Sequence, residues 1–157
     1  MTTDDYFMHC AITAARRGIS EGQTPFGACI VMDGEIIACD HNRVWEQSDS
    51  TAHAEILAIR SACRARGTID LAGATIYATC EPCPMCFAAC HWARIGRIVS
   101  GASIRDARGF GFHELHVSNA MMARLGRSEI TLEQGVCRDE CIALFLEWVS
   151  EGRSGPY

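Results

Sequence analysis

His53, Glu55, Cys83 and Cys86 are the residues of this chain whose types and order could do chemistry together. One imidazole and two thiolates supply three ligands to a zinc ion, and a tetrahedral ion then keeps its fourth position for water. Water is a weak nucleophile near neutrality, because its pKa of about 15.7 must fall toward 7, and zinc does this. Glu55, two residues after the histidine, is expected not to reach the metal but to sit beside that water as a proton carrier. Such a set suits the hydrolytic removal of an amino group from a heteroaromatic ring. Glu55 would take the proton of the attacking water, pass it to a ring nitrogen, and then protonate the departing amine.

The same residues have other uses. His53 and Glu55 could simply open a helix, with the carboxylate favoured by the helix dipole. The cysteines could form a structural zinc knuckle, although such sites are usually closed by a fourth protein ligand. Cys80, Cys83, Cys86 and Cys90 also have the spacing of a bacterial iron–sulfur run, which would make the chain a binding or electron-transfer module. That alternative lacks a proline after Cys90 and leaves His53 and Glu55 unexplained. Read as H-x-E…P-C-x-x-C, the four residues carry the signature of zinc deaminases.

The length of 157 residues suits one domain, 1–157, with a C-terminal tail from 151 to 157. No apolar run approaches the roughly 20 residues that span a bilayer, and the acidic start has no signal-peptide pattern, so a cytoplasmic protein is expected. Cys10, Cys29, Cys39, Cys63, Cys90, Cys137 and Cys141 mostly fall on apolar faces and read as small buried thiols of a reducing compartment. The net charge is −5 and all 14 basic residues are arginines, scattered without a continuous stripe. Phosphate neutralisation drives nucleic-acid binding, so this balance argues against a polynucleotide partner.

The elements that must hold the four residues can be read from periodicity and punctuation. Phe7, Cys10, Ala11, Ala14 and Ala15 recur at helical spacing, with Gly18 as the expected stop. Residues 28–32 and 36–40 read as two strands joined by a type I′ turn at Asp33-Gly34. Thr51 is expected to cap a helix over 52–66, closed by Gly67, which puts His53 and Glu55 in its first turn. A strand over 74–79, a helix opened by Pro82 and Pro84, and a strand over 97–101 form a parallel crossover, with both cysteines at the helix start. A loop over 102–116, a helix capped by Ser118, a strand over 129–132 and a helix over 137–150 complete the chain. Cys141, Leu144, Phe145 and Trp148 are its inward residues. The result is an α/β fold, a sheet sandwiched between helices with two helix N-termini converging on a metal.

Over essentially its full length the chain resembles the cytidine-deaminase-like superfamily, and within it bacterial guanine deaminases. The resemblance rests on Pro25-Phe26-Gly27-Ala28, the Asn42 segment, Thr51 to Glu55 and Cys80 to Cys86, with support from Trp92-Ala93-Arg94, Asp106-Ala107 and Gly111-Phe112. It implies a three-layer α/β/α sandwich on a five-stranded mixed sheet, with one Zn2+ per subunit held by His53, Cys83 and Cys86. It implies that Phe26 stacks on a purine-like base, Asn42 bonds a base edge and the Ala54 backbone N–H meets a ring carbonyl. Core packing and a loop position are the plain alternatives for Phe26 and Asn42. Glu114 occupies the place of a second carboxylate that meets the amino group, where the alternative is a solvated loop residue. The resemblance also implies a homodimer, with His91 and Trp92 at the shared face, Trp92 bordering the substrate, and Tyr157 on a C-terminal tail exchanged between subunits. The expected reaction is guanine to xanthine and ammonia. The tRNA adenosine deaminases are similar through the zinc motifs and through Gly135 to Leu144, and ammeline, guanosine or a pterin are alternative small substrates.

Overall fold

The computed structural model describes residues 2–153, so the tail beyond Arg153, Tyr157 included, lies outside the described residues. Helix α1 (Thr3–Ser20) is followed by the hairpin β1 (Gly27–Met32) and β2 (Glu35–His41) and a single-turn helix α2 (Val44–Gln47). Then come α3 (Ala54–Arg66), β3 (Thr75–Cys80), α4 (Pro84–Trp92), β4 (Arg97–Ala102), α5 (Ile104–Gly109), α6 (Asn119–Gly126), β5 (Thr131–Gln134) and α7 (Arg138–Ser150). The strands lie in the order β2-β1-β3-β4-β5. β1 runs antiparallel to both β2 and β3, whereas β3, β4 and β5 are mutually parallel, so the sheet is mixed as expected. Asp33 and Gly34 have φ of 53° and 78°, the two positive values that a type I′ turn requires.

Successive strand residues point to opposite faces, and the two cores follow that alternation. Cys29, Val31, Tyr77 and Val99 pack with α1 and α7, while Ala28, Ile30, Ile76 and Ile98 pack with α3 and α4. The first core is built on large rings, among them Phe7, Phe112, Phe145 and Trp148. The second is lined by Ala54, Ala58 and Ala62 of α3, whose short side chains let that helix ride close to the sheet. This closeness matters because α3 and α4 both start at the C-terminal end of the parallel strands, where the site lies.

Several boundaries differ from expectation for identifiable reasons. Gly18 does not stop α1, which runs on to Ser20; a Cβ there would come 2.8 Å from Nδ1 of the fully buried His41, so the glycine is a packing slot. Thr51 does not cap α3. Its N–H and hydroxyl both bond Asp49, and the helix starts only after His53. The segment expected as a loop over 102–116 contains α5, started by a reciprocal Ser103–Asp106 capping box. β5 lies two residues later than expected because its pairing with β4 sets Thr131 against Arg97. All ten cysteines are free thiols, and no helix of the described residues is long and apolar enough to cross a membrane.

Candidate metal and active site

His53 is the N-cap of α3 and Cys83 the N-cap of α4, both in extended backbone conformation and neither making a side-chain cap bond. Their side chains turn toward one another instead. His53 Nδ1 lies 3.7 Å from Cys83 Sγ and 3.6 Å from Cys86 Sγ. Tetrahedral zinc with bonds of about 2.0–2.1 Å to nitrogen and 2.3 Å to sulfur puts N and S roughly 3.6 Å apart, so the three atoms are spaced as zinc ligands. Pro84 at the first position of α4 costs no helix hydrogen bond, and Cys86 follows one turn on, which brings both sulfurs to one point. No fourth donor residue joins His53, Cys83 and Cys86 among the described residues, which suits a catalytic rather than a closed structural site. Cys80 instead points its thiol at the Ser103 carbonyl, 3.5 Å away, and Cys90 is buried in the core of α3 and α4. The iron–sulfur set is therefore not assembled.

The electrostatics agree with a metal-binding, proton-handling site. A hydrogen bond from the Cys86 thiol, opposed by burial and helped by His53, brings Cys83 down to about 4, while the same partnership pushes Cys86 up. Burial pulls His53 down, but Cys83 and Glu55 outweigh it and leave the imidazole above its ordinary value. Glu55, at the second position of α3 and 8% exposed, is raised mainly by burial, against the pull of His53. Its carboxyl is thus poised closer to neutrality than an exposed glutamate, as a proton shuttle requires.

His53, Glu55 and Cys83 line a pocket of about 240 Å³, with Cys86 fully buried beside it. Phe26 and Phe112 form an apolar wall, ring to ring at 4.8 Å and steeply inclined, backed by Phe145. Asn42 is buried on the pocket edge, and its Oδ1 accepts the Val44 N–H at 3.0 Å, which fixes which end of the amide is the donor. Glu114 enters from the segment between α5 and α6, half-buried, and is raised to about 7 by burial first and by the charges of Cys83 and Glu55 next. Ala54, fully buried, is the first residue of α3, where backbone N–H groups lack intrahelical partners.

Trp92 is not part of this pocket. α4 buries Cys86, Phe87 and Cys90, and Trp92 falls on the outward side of its last turn, 80% exposed. Its expected place beside the substrate is corrected for the single chain. Two pocket features escaped the sequence reading. Phe112 forms the wall with Phe26, and Glu81, almost fully buried, also lines the pocket. The S-x-x-D pattern at Ser103–Asp106 could have revealed α5, and with it the short span that carries Phe112.

Known proteins share this arrangement. The model of the cytidine and deoxycytidylate deaminase zinc-binding region matches residues 1–102. A tRNA-specific adenosine deaminase of Bacillus subtilis (strain 168) is 40% identical over 141 residues, 90% of this chain and 85% of that protein. A guanine deaminase of the same organism is 45% identical over 109 residues, 69% of this chain and 70% of that protein. A solved guanine deaminase from Nitrosomonas europaea superposes with a TM-score of 0.86 at 31% identity, covering 93% of this chain and 84% of that one. The ligand triad, the mixed sheet and these matches converge: the chain belongs to the cytidine and deoxycytidylate deaminase zinc-binding family and is a zinc-dependent deaminase.

Proposed function

We propose that the protein deaminates a free purine-type base, converting guanine and water to xanthine and ammonia. The observation that carries this reading is Glu114, a second carboxylate half-buried in the pocket that His53, Glu55 and Cys83 line. Guanine presents an exocyclic amino group beside a ring N–H, two adjacent donors, and burying them calls for an acceptor of this kind. The pocket is smaller than the about 300–1,000 Å³ of drug-sized ligand sites, which suits a lone base. Phe26 and Phe112 would hold the flat ring, the Asn42 amide would donate to an acceptor on its far edge, and Ala54 N–H would meet the ring carbonyl.

His53, Cys83 and Cys86 would hold the zinc ion, which would supply the Lewis acidity that makes water nucleophilic near pH 7. Glu55 takes the proton of the attacking water and delivers it to the ring nitrogen next to the carbon under attack. It then takes the remaining proton from the added hydroxyl and hands it to the amino group, so that the C–N bond breaks, the carbonyl forms and ammonia leaves. Glu114 accepts from that amino group and keeps it aimed at Glu55.

A tRNA adenosine as substrate is the second reading, favoured by the 40% identity over 90% of the chain to the Bacillus subtilis tRNA-specific enzyme. Purified zinc-loaded protein offered guanine and a tRNA anticodon stem-loop separates the two. Xanthine formation with little sensitivity to moderate salt supports the first. Inosine in the RNA, no xanthine, and a steep loss with salt overturn it. Ammonia release from ammeline, guanosine and a pterin ranks the remaining small substrates. We further propose a cytoplasmic homodimer, with the exposed Trp92 on the shared face; sedimentation of the wild type and of Trp92→Ser checks the pairing.

A further inference from the structure

Glu81 is 6% exposed and belongs to none of the catalytic steps above. Its Oε2 accepts the Ile104 N–H at 3.2 Å, and its Oε1 accepts the Asn119 N–H at 2.8 Å and the Gln134 side-chain amide at 3.2 Å. Ile104 and Asn119 are the first residues of α5 and α6. One carboxylate therefore joins the starts of two helices, and the span between those helices is the one that carries Phe112 and Glu114 into the pocket. The opposite end of the link is as specific. Glu81 N–H donates to the Ala102 carbonyl, Asn119 Nδ2 donates to the Pro82 carbonyl, and the next residue along is the metal ligand Cys83. Three consecutive residues, 81 to 83, thus clamp the span, receive its amide and hold the metal.

We propose that Glu81 is a positioning residue for substrate recognition: it ties the segment bearing Phe112 and Glu114 to the short connection between β3 and α4 that leads into Cys83, so that the base-reading wall is registered against the hydrolytic centre. Core packing alone does not account for it. A buried carboxylate without donors is costly, and this one is matched by three N–H groups drawn from three separate elements. Glutamine in its place keeps the shape but turns one oxygen into an N–H2 that faces N–H donors, so the tie breaks without emptying the cavity. The proposal rests on the reading that Glu114 meets the substrate, and the test has one arm that needs no substrate.

In zinc-loaded Glu81→Gln, hydrogen exchange of residues 110–118 is expected to speed up at least about tenfold, the effect of losing one charged hydrogen bond, while α3 and α4 exchange as in the wild type. Metal analysis is expected to return one zinc per chain. For the base that the wild type turns over, KM rises by about tenfold with a smaller change in kcat. A double-mutant cycle with Glu114→Ala then shows a combined loss smaller than the product of the two, because Glu81 acts in part through that residue. Unchanged exchange at 110–118, or losses that multiply independently of Glu114, overturns the proposal. A wild type that deaminates no guanine overturns the substrate reading alone and leaves the exchange arm standing. If Glu81→Gln does not fold, Gln134→Leu decides, since Gln134 is exposed and its substitution removes one donor only. Faster exchange at 110–118 then supports the tie, and unchanged exchange sinks it.

Discussion

The two sides of the pocket are built differently. The hydrolytic side hangs on regular elements: His53 and Glu55 on the first turn of α3, Cys83 and Cys86 on the first turn of α4, both helices lying close against the sheet. The side proposed to read the base is borrowed from connections, with Phe26 before β1, Asn42 after β2, and Phe112 and Glu114 between α5 and α6. Function concentrates on loops that a rigid scaffold positions, and here the division is chemical as well. Water activation needs atoms held within tenths of an ångström, so it sits where the backbone cannot drift. Substrate choice needs only a wall and a few polar groups, and these can change without disturbing the metal. A tRNA-specific adenosine deaminase and a guanine deaminase both match this one chain.

The sharpest test of that division is Glu55→Gln. It should cost about 10² to 10⁴ in turnover of every accepted substrate, because it removes general acid–base transfer, while metal analysis still finds one zinc per chain. Activity that survives on one substrate but not another would break the comparison, since the hydrolytic side would then be reading the base.

Glu114→Ala tests the other side. Guanine turnover should fall at least about tenfold with zinc unchanged, in line with the roughly 1.5–3 kcal/mol of a charged hydrogen bond. Glu114→Asp should keep part of it. Parent-like guanine activity in Glu114→Ala would return this residue to the surface and remove the main support for guanine.

A smaller effect follows from pH. Glu114 must be ionised to accept from the substrate, and its carboxyl is raised from 4.5 to about 7, chiefly by burial. Guanine kcat/KM should therefore decline as pH falls through that region, by up to about threefold between pH 7.5 and 6.5 for a single proton. Glu114→Gln should flatten this limb. A wild-type profile flat from pH 8 to pH 5 would place the carboxylate in ordinary solvent.

The smallest expected change lies at the far end of the sheet and should touch neither side of the pocket. Arg97 at the start of β4 makes two bonds to Asp4 of α1, at 2.9 and 2.8 Å, and Asp4 also accepts from the Tyr77 hydroxyl at 2.7 Å. Arg97→Met should cost about 1 kcal/mol in denaturant unfolding and leave KM and kcat alone. Arg97 holds Asp4 below the carboxylate value of 3.8. The folded pKa being depressed, the pair's contribution is present above pH 3.8 and fades as pH falls through the lower folded value, so wild type and variant should converge in stability in strong acid. A loss of guanine affinity in Arg97→Met would mean that the two ends of the sheet communicate.

The same division explains what could be read from residues alone. His53, Glu55, Cys83 and Cys86 were legible because a metal demands fixed ligand types, and a helix start demands fixed spacing. α7 was legible because Cys141, Leu144, Phe145 and Trp148 repeat with the period of one buried face. Trp92 was misplaced because its neighbours share its apolar character and only the phase of α4 turns it outward. Gly18 was misread because a glycine near a helix end usually stops it, and nothing local reveals the His41 ring packed against it. Glu81 stayed hidden because two of its three partners are backbone N–H groups far along the chain, and backbone donors carry no letter in a sequence.

The missing caps on α3 and α4 have a consequence for selection. Thr2, Ser103 and Ser118 each close a helix start with a side-chain oxygen, whereas His53 and Cys83 leave theirs open and give their side chains to the metal. Serine or aspartate at a bare N-cap commonly adds about 0.5–2 kcal/mol. In zinc-poor medium, a screen that scored only survival of heat would accordingly enrich Cys83→Ser and His53→Asp, sturdier molecules with no catalytic centre. Two of the cheapest routes to a more robust version of this fold run directly through its metal ligands, so the chain's inheritance of activity depends on an environment that keeps rewarding zinc.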